Sequence, residues 1–220
     1  MPGLRVFALS HPESNNSIRS TATFWQALLR APRALLDRIV VMSTTRANYW
    51  TEFAVTSTVS AALLVFGARQ LQGSWLAVPV TIVVGLFAFS FIEYLFHRWI
   101  FHGPDSMYQR GHQAHHDFPE GYDSLPFFLP AVILSSLAGL LWLALPAGYG
   151  FLIAGTIGTG YVAYGFSHFA IHHRRFQHPM IRRWAACHHV HHHHPDQNFG
   201  VTSTLWDHLL GTLYQSRSRL

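Results

Sequence analysis

Histidine is the residue type with the most capacity for chemistry in this sequence. There are 17, and all but His11 follow residue 96. Fourteen of them fall in four groups. The first is His97-Arg-Trp-Ile-Phe-His102 and the second His112-Gln-Ala-His115-His116. The third is His168-Phe-Ala-Ile-His172 with His173 beside it, and the fourth runs from His188 to His194, broken by Val190. Imidazole is the commonest metal-binding side chain. Residues three and four apart share a helical face, so His112, His115 and His116 form one stripe and His168 and His172 another. Facing rows of this kind can hold two ions, as carboxylate rows do in ferritin-like bundles. Around ten histidines exceed the three protein ligands of a typical catalytic zinc site, and the excess argues for two metals. His97 and His102 would project about 140° apart on a straight helix. A helix end or bend is predicted there, unless the two serve different ions.

The elements that must position these groups are apolar. Half of the 220 residues are hydrophobic and 11% are charged, against about 25% charged in ordinary soluble domains. Four apolar stretches, roughly 53–71, 75–96, 127–146 and 148–167, each approach the ~20 residues needed to cross a bilayer. Gln70, Gly73 and Ser74 mark a turn between the first two, and Pro146, Ala147 and Gly148 one between the second two, giving two helical hairpins. The expected fold class is an all-α integral membrane protein of four transmembrane helices under a cytosolic, His-rich dimetal cap. Residues 1–50 read as a cytosolic N-terminal segment without a removable signal peptide. It contains an amphipathic helix from about Phe24 to Met42 that lies on the membrane surface or packs on the cytosolic part. Residues 51–220 read as the domain that carries the chemistry.

The 15 basic residues, every one Arg, set the orientation. Six precede residue 50, two lie between the hairpins (Arg98 and Arg110), six follow residue 173, and the hairpin turns hold Arg69 alone. The positive-inside rule then places both termini and every His group on the cytosolic side. The net charge of +5 comes from scattered Arg without the clustered basic face a nucleic-acid partner needs. The single cysteine, Cys187, excludes an internal disulfide framework and a Cys-built metal site.

Several of these segments together resemble the fatty acid hydroxylase / sterol desaturase superfamily, most closely its fatty acid 2-hydroxylase branch. They are Glu93-Tyr94-Leu-Phe-His97-Arg98-Trp-Ile-Phe-His102, Gly111-His112-Gln-Ala-His115-His116, Ser167-His168-Phe-Ala-Ile-His172, Asn198-Phe199-Gly200-Val-Thr202 and Trp206-Asp207-His-Leu-Leu-Gly211-Thr212. The resemblance runs from about residue 50 onward, in matching order and spacing. It implies a non-haem di-iron centre that uses O2 and a separate electron supply to hydroxylate a lipid acyl chain. The ligands it implies are His97, His102, His112, His115, His116, His168 and His172, completed from the last group by His189, His192 and His193. One register earlier, His188, His191 and His192 satisfy the same pattern, and His192 is common to both. Glu93, Asp117, Asp123, Asn198 and Asp207 are candidates to hold the ligating rings, since metal-bound imidazoles usually donate their other N–H to a carboxylate or carbonyl.

The chain has no room for the cytochrome b5 domain fused to several relatives, so an external donor of cytochrome b5, ferredoxin or reductase type is expected. The short stretch from Asp117 to Pro126 leaves little chain to form a lid. Zinc can displace iron from an all-His site, because it stands higher in the affinity order. Two rivals remain at this stage. One is hydroxylation or desaturation of a sterol or carotenoid by the same ligand set. The other is a non-catalytic metal-binding or metal-transport membrane protein, in which transport calls for polar or His residues along the spans; the polar or small residues of these spans are mainly Ser, Thr and Gly, and the His stay on one face.

Overall fold

A computed structural model describes residues 38–71 and 75–216. All of its regular elements are helices: α1 (Arg46–Gln70), α2 (Ala77–Leu95), a π-helical turn (Phe96–Phe101), α3 (Met107–Asp117), α4 (Leu129–Ala144), α5 (Ala147–His173), α6 (Pro179–His193) and the short α7 (Leu205–Leu209). Each expected apolar stretch is occupied by a helix. Arg46–Gln70 and the continuous Ala77–Phe101 are long and apolar enough to cross a membrane, while Leu129–Ala144 is a shorter apolar helix. Of the expected N-terminal amphipathic helix, residues 24–37 lie outside the described residues. Residues 38–43 are helical, and residues up to Met42 group apart from the compact unit Ser43–Leu220.

α5 is the centre of the bundle, and α1, α2 and α4 all pack on it. The second pair, α4 and α5, is the predicted hairpin. The first pair departs from that expectation: α1 and α2 seat against α5 more than against each other. Glycines explain why. The Gly155 Cα faces Leu63 and Leu64 of α1, Gly158 faces Ser60, and Gly160 lies under the Phe89 ring of α2. Small residues let helix backbones approach closely in the absence of a hydrophobic driving force.

The buried and exposed faces are inverted relative to a water-soluble bundle. α1 buries Asn48, Glu52, Thr56 and Ser60, one polar side chain every four residues. α2 exposes Val80, Val83, Val84, Phe87 and Phe91. A lipid surrounding accounts for this pattern, because lipid tails accept apolar surface and polar groups must find partners inside. Asn48 finds them in the loop before α4. Its Nδ2 donates to Ser124 Oγ at 2.9 Å and to the Leu125 carbonyl at 2.8 Å, and its Oδ1 accepts from Phe127 N–H at 3.0 Å.

Close packing along α5 has a measurable consequence. A Cβ on Gly67 would lie 2.7 Å from the Leu152 amide nitrogen and 2.9 Å from the Gly148 carbonyl oxygen, whereas one on Gly139 would meet nothing within 4 Å. Backbone atoms cannot swing aside, so Gly67→Ala should destabilise the bundle by about 1–3 kcal/mol, the usual cost of overpacking. Gly139→Ala should leave stability unchanged or slightly higher. Thermal unfolding in detergent distinguishes the two, and equal midpoints would refute the close approach of α1 to α5.

Candidate metal centre

The helices deliver their imidazoles to one end of the bundle, where ten of them form two groups. His97, His102, His112, His116 and His191 make the first, and His115, His168, His172, His188 and His192 the second. Within each group the candidate ligand atoms all lie within 4.8 Å of one another. Local geometry explains the partition. The π-helical turn ends with His102 N–H bonded to the His97 carbonyl at 3.2 Å, an i→i+5 step that lines up the two rings; their centroids are 5.2 Å apart. On α3, one residue turns the helix by about 100°. His112 and His116 therefore face the first group while His115 faces the second. α6 repeats the device, with His188 and His192 in the second group and His191 in the first.

Of the last His segment, His188, His191 and His192 join the two groups, while His189 and His193, expected from the resemblance, do not. His188 is 1% exposed and His191 fully buried, whereas His189 and His193 are exposed and belong to neither group. The phase comes from the residues before them. Ala185 packs in a small core with Ile171 and Val201, with Trp184 against it, and the residues three and seven positions on from Ala185 are His188 and His192. That apolar start is the signal in the sequence for which imidazoles of the run turn inward.

The convergence of nitrogens calls for a cation. His112 Nε2 stands 3.1 Å from His97 Nε2, 2.9 Å from His102 Nε2 and 3.1 Å from His116 Nε2. One ring nitrogen carries at most one hydrogen, so three such contacts cannot all be hydrogen bonds. Two nitrogens bound at right angles to one ion, each at about 2.1 Å, stand about 3 Å apart, which matches these spacings. In the second group, His188 Nε2 is 3.0 Å from His172 Nε2 and 3.1 Å from His192 Nε2. His115 Nε2 and His168 Nε2 are buried there without a hydrogen-bond partner. Buried polar atoms are rarely left so, and a metal ion satisfies them. Burial and the neighbouring rings hold His115 and His102 far below the ordinary imidazole range, at about 3 and about 4. Both are therefore neutral, with lone pairs free, at physiological pH. The donor set fits two metal ions.

The rings are held by carbonyls. His97 Nδ1 donates to the Phe199 carbonyl at 2.5 Å and His191 Nδ1 to that of Gln197 at 2.7 Å, which turns both Nε2 atoms toward the first group. The loop that presents these carbonyls hangs from two buried carboxylates. Glu93 accepts from Val201 N–H at 2.7 Å, from Thr202 N–H at 2.8 Å and from the Thr202 hydroxyl. Asp207, fully buried, accepts from Phe199 N–H at 2.8 Å, Gly200 N–H at 2.9 Å and Thr212 Oγ1 at 2.7 Å. Asn198 takes φ 56°, a left-handed conformation that Asn tolerates better than most residues. Its amide donates to the Cys187 carbonyl and accepts from Tyr214 N–H. Glu93, Asn198 and Asp207 thus act one step further out than expected, on the loop and not on an imidazole. Asp117 accepts from Gln113 on the exposed side of α3. Asp123 lines a narrow recess with Tyr49, His115, His168 and His172. The loop carbonyls are absent from the sequence-level candidates because a backbone contact leaves no residue-type signature.

The sequence profile of the fatty acid hydroxylase family matches residues 82–212, the stretch that holds both imidazole groups and the loop that orients them. The chain belongs to the fatty acid hydroxylase family. It is 32% identical over 148 residues to a dihydroceramide fatty acyl 2-hydroxylase of Arabidopsis thaliana, covering 62% of this chain and 61% of that one. It is 31% identical over 150 residues to the ceramide very long chain fatty acid hydroxylase of Schizosaccharomyces pombe, covering 59% of this chain and 41% of the yeast protein. The chain thus spans between two fifths and about three fifths of the length of these hydroxylases. Its fold is similar to the solved structure described as full-length Scs7p with only the hydroxylase domain visible. The TM-score is 0.69 at 25% identity, over 81% of this chain and 70% of that one.

Proposed function

We propose that this fatty acid hydroxylase family member hydroxylates a lipid acyl chain with O2, using two iron ions held by the two imidazole groups. The observation that carries the reading is the paired donor set, five converging imidazoles to a group, buried or half-buried. In it His97, His102, His112, His116 and His191 hold one ion, and His115, His168, His172, His188 and His192 the other. Bound iron supplies the reductive activation of O2 that an unactivated C–H bond requires, chemistry no side chain here provides. The protein's part is to bind, orient and exclude water. Phe101 stacks on the His112 ring at 5.2 Å, and Phe199 lies 5.7 Å from both His102 and His191. These rings pack against the first group, in which His97, His112 and His191 are buried and His102 and His116 half-buried. A narrow recess lined by Tyr49, Pro119, Gly121, Asp123 and Phe169 reaches the second group. The relatives, a dihydroceramide fatty acyl 2-hydroxylase and a ceramide very long chain fatty acid hydroxylase, favour an acyl group over a sterol or carotenoid.

The membrane arrangement belongs to the same proposal. α1, α2 with its π-helical turn, α4 and α5 form four spans, with the imidazoles and the flanking Arg on the cytosolic side. An external cytochrome b5-, ferredoxin- or reductase-type donor reaches the centre from there. The test is mass spectrometry of total lipids from cells expressing the protein under 18O2, beside cells carrying His115→Ala. An acyl lipid gaining one labelled oxygen in the wild type alone is the expected result. An iron-loaded wild type with a working reductase and no labelled lipid would sink the proposal.

A further inference from the structure

The imidazoles do not account for every functional group buried in the bundle. Glu52, on the polar face of α1, is 6% exposed and serves neither cluster. Thr56 Oγ1 donates to it at 2.9 Å, and the Tyr161 phenol lies beside it. A carboxylate inside a membrane bundle is costly and points to function. Tyr161 also begins a column of rings along one face of α5, since residues 161, 164 and 168 are spaced to share it. The Tyr161 and Tyr164 centroids are 6.5 Å apart, and those of Tyr164 and His168 5.7 Å apart with the rings within 6° of parallel. His168 then meets His115 at 4.3 Å. An unbroken aromatic stack therefore links Glu52 to the second imidazole group.

A phenol loses an electron readily when its proton has somewhere to go, so the partner of each hydroxyl decides which tyrosine can be oxidised. Tyr49 donates to the Gly165 carbonyl at 3.0 Å, and a carbonyl is a poor proton acceptor. Tyr94 accepts from the Arg98 guanidinium at 2.8 Å and reaches the Asp207 carboxylate only through the Thr212 hydroxyl, and its ring packs on Phe199 beside the first group. Tyr161 lies beside a carboxylate, which takes up a proton. Among the described residues, it combines that acceptor with a stacked route to the second group.

We propose that Tyr161 is a redox-active residue that drains oxidising equivalents from the centre when O2 reacts with no acyl chain in place. The inference rests on the metal-centre reading above. Tyr161 gives one electron through the stacked Tyr164 and His168 rings, and the oxidised centre is reduced by that one electron. The phenol O–H bond breaks and its proton passes to the Glu52 carboxylate. The product is a neutral Tyr161 radical beside protonated Glu52. One electron from the donor that serves the centre, with return of the proton, restores both. His115 and His168 are spared oxidation by this route.

The experiment uses the full chain in lipid nanodiscs, iron-loaded, reduced, exposed to O2 without an acyl substrate and freeze-quenched for electron paramagnetic resonance. A tyrosyl radical is expected in the wild type and in Tyr108→Phe, whose ring is exposed. It should be lost in Tyr161→Phe, which keeps the ring and its packing, and in Glu52→Gln, which removes the proton acceptor. Peptide mass spectrometry should find more oxidised His115 and His168 in those two variants. An equal radical in wild type and Tyr161→Phe overturns the proposal. So does a wild type that holds iron and hydroxylates lipid yet forms no radical. A wild type that binds no iron defeats the metal-centre reading and the proposal with it.

Discussion

His188→Ala should abolish lipid hydroxylation and bring the iron content of the purified protein from two ions per chain toward one, while His189→Ala should change neither. The two residues are neighbours in sequence and opposite in role. His188 is 1% exposed, and its Nε2 lies 3.0 Å from that of His172 and 3.1 Å from that of His192. His189 is exposed and outside both groups. Removing a hydrogen-bond partner of a metal-bound imidazole typically costs roughly 10–100-fold in affinity or activity, and loss of the imidazole itself should exceed that. Metal analysis of both variants beside the wild type, with lipid mass spectrometry on the same cells, provides the readout. Equal iron in His188→Ala and wild type would remove His188 from the ligand set. A loss in His189→Ala would return the last segment to the other register.

Asp207→Ala should weaken the first imidazole group and the fold together. Asp207 accepts three hydrogen bonds at the base of the loop that presents the Phe199 and Gln197 carbonyls. Alanine there strands the buried Phe199 and Gly200 N–H groups, at about 1–3 kcal/mol for each unsatisfied donor. His97 and His191 then lose the carbonyls that fix their rings. The second group takes no part in this loop, so its ion should be retained. Thermal unfolding and stepwise chelation check the prediction. The expected results are a lowered midpoint and one ion that leaves far more easily than the other. Simultaneous loss of both ions at unchanged stability would show that Asp207 acts elsewhere.

How much of this is legible in the sequence depends on whether a feature has a period or a residue type of its own. The stripes on α3 and α5 are readable because helical spacing aligns His112 with His116 and His168 with His172. The π-helical turn is not, because aligning His97 with His102 needs an i→i+5 step that no residue type announces; spacing shows only that a straight helix fails there. Nor does spacing reveal that His115 and His116 part to different groups, since both fall within one broad stripe. The run from His188 to His194 erases its own periodicity, six imidazoles filling seven positions, so the phase must come from Trp184 and Ala185. The apolar segments are plain in composition. The insertion of α5 between α1 and α2 is not, because it depends on which glycines meet which neighbours.

The loop from Gln197 to Thr202 has a consequence for the order in which the molecule is made. Glu93 waits for Val201 and Thr202, 108 and 109 residues later in the chain, and Tyr94 waits 118 residues for Thr212. Both imidazole groups draw on α6, so neither is complete until translation has passed residue 192. During synthesis, at roughly 5–20 residues per second, α1 and α2 are made well before the partners of Glu93 and Tyr94. The membrane bundle is thus built first and armed last. Before α6 is made the nascent chain holds four imidazoles of the first group and three of the second, and each set reaches five only with α6, just ahead of the loop that locks onto Glu93.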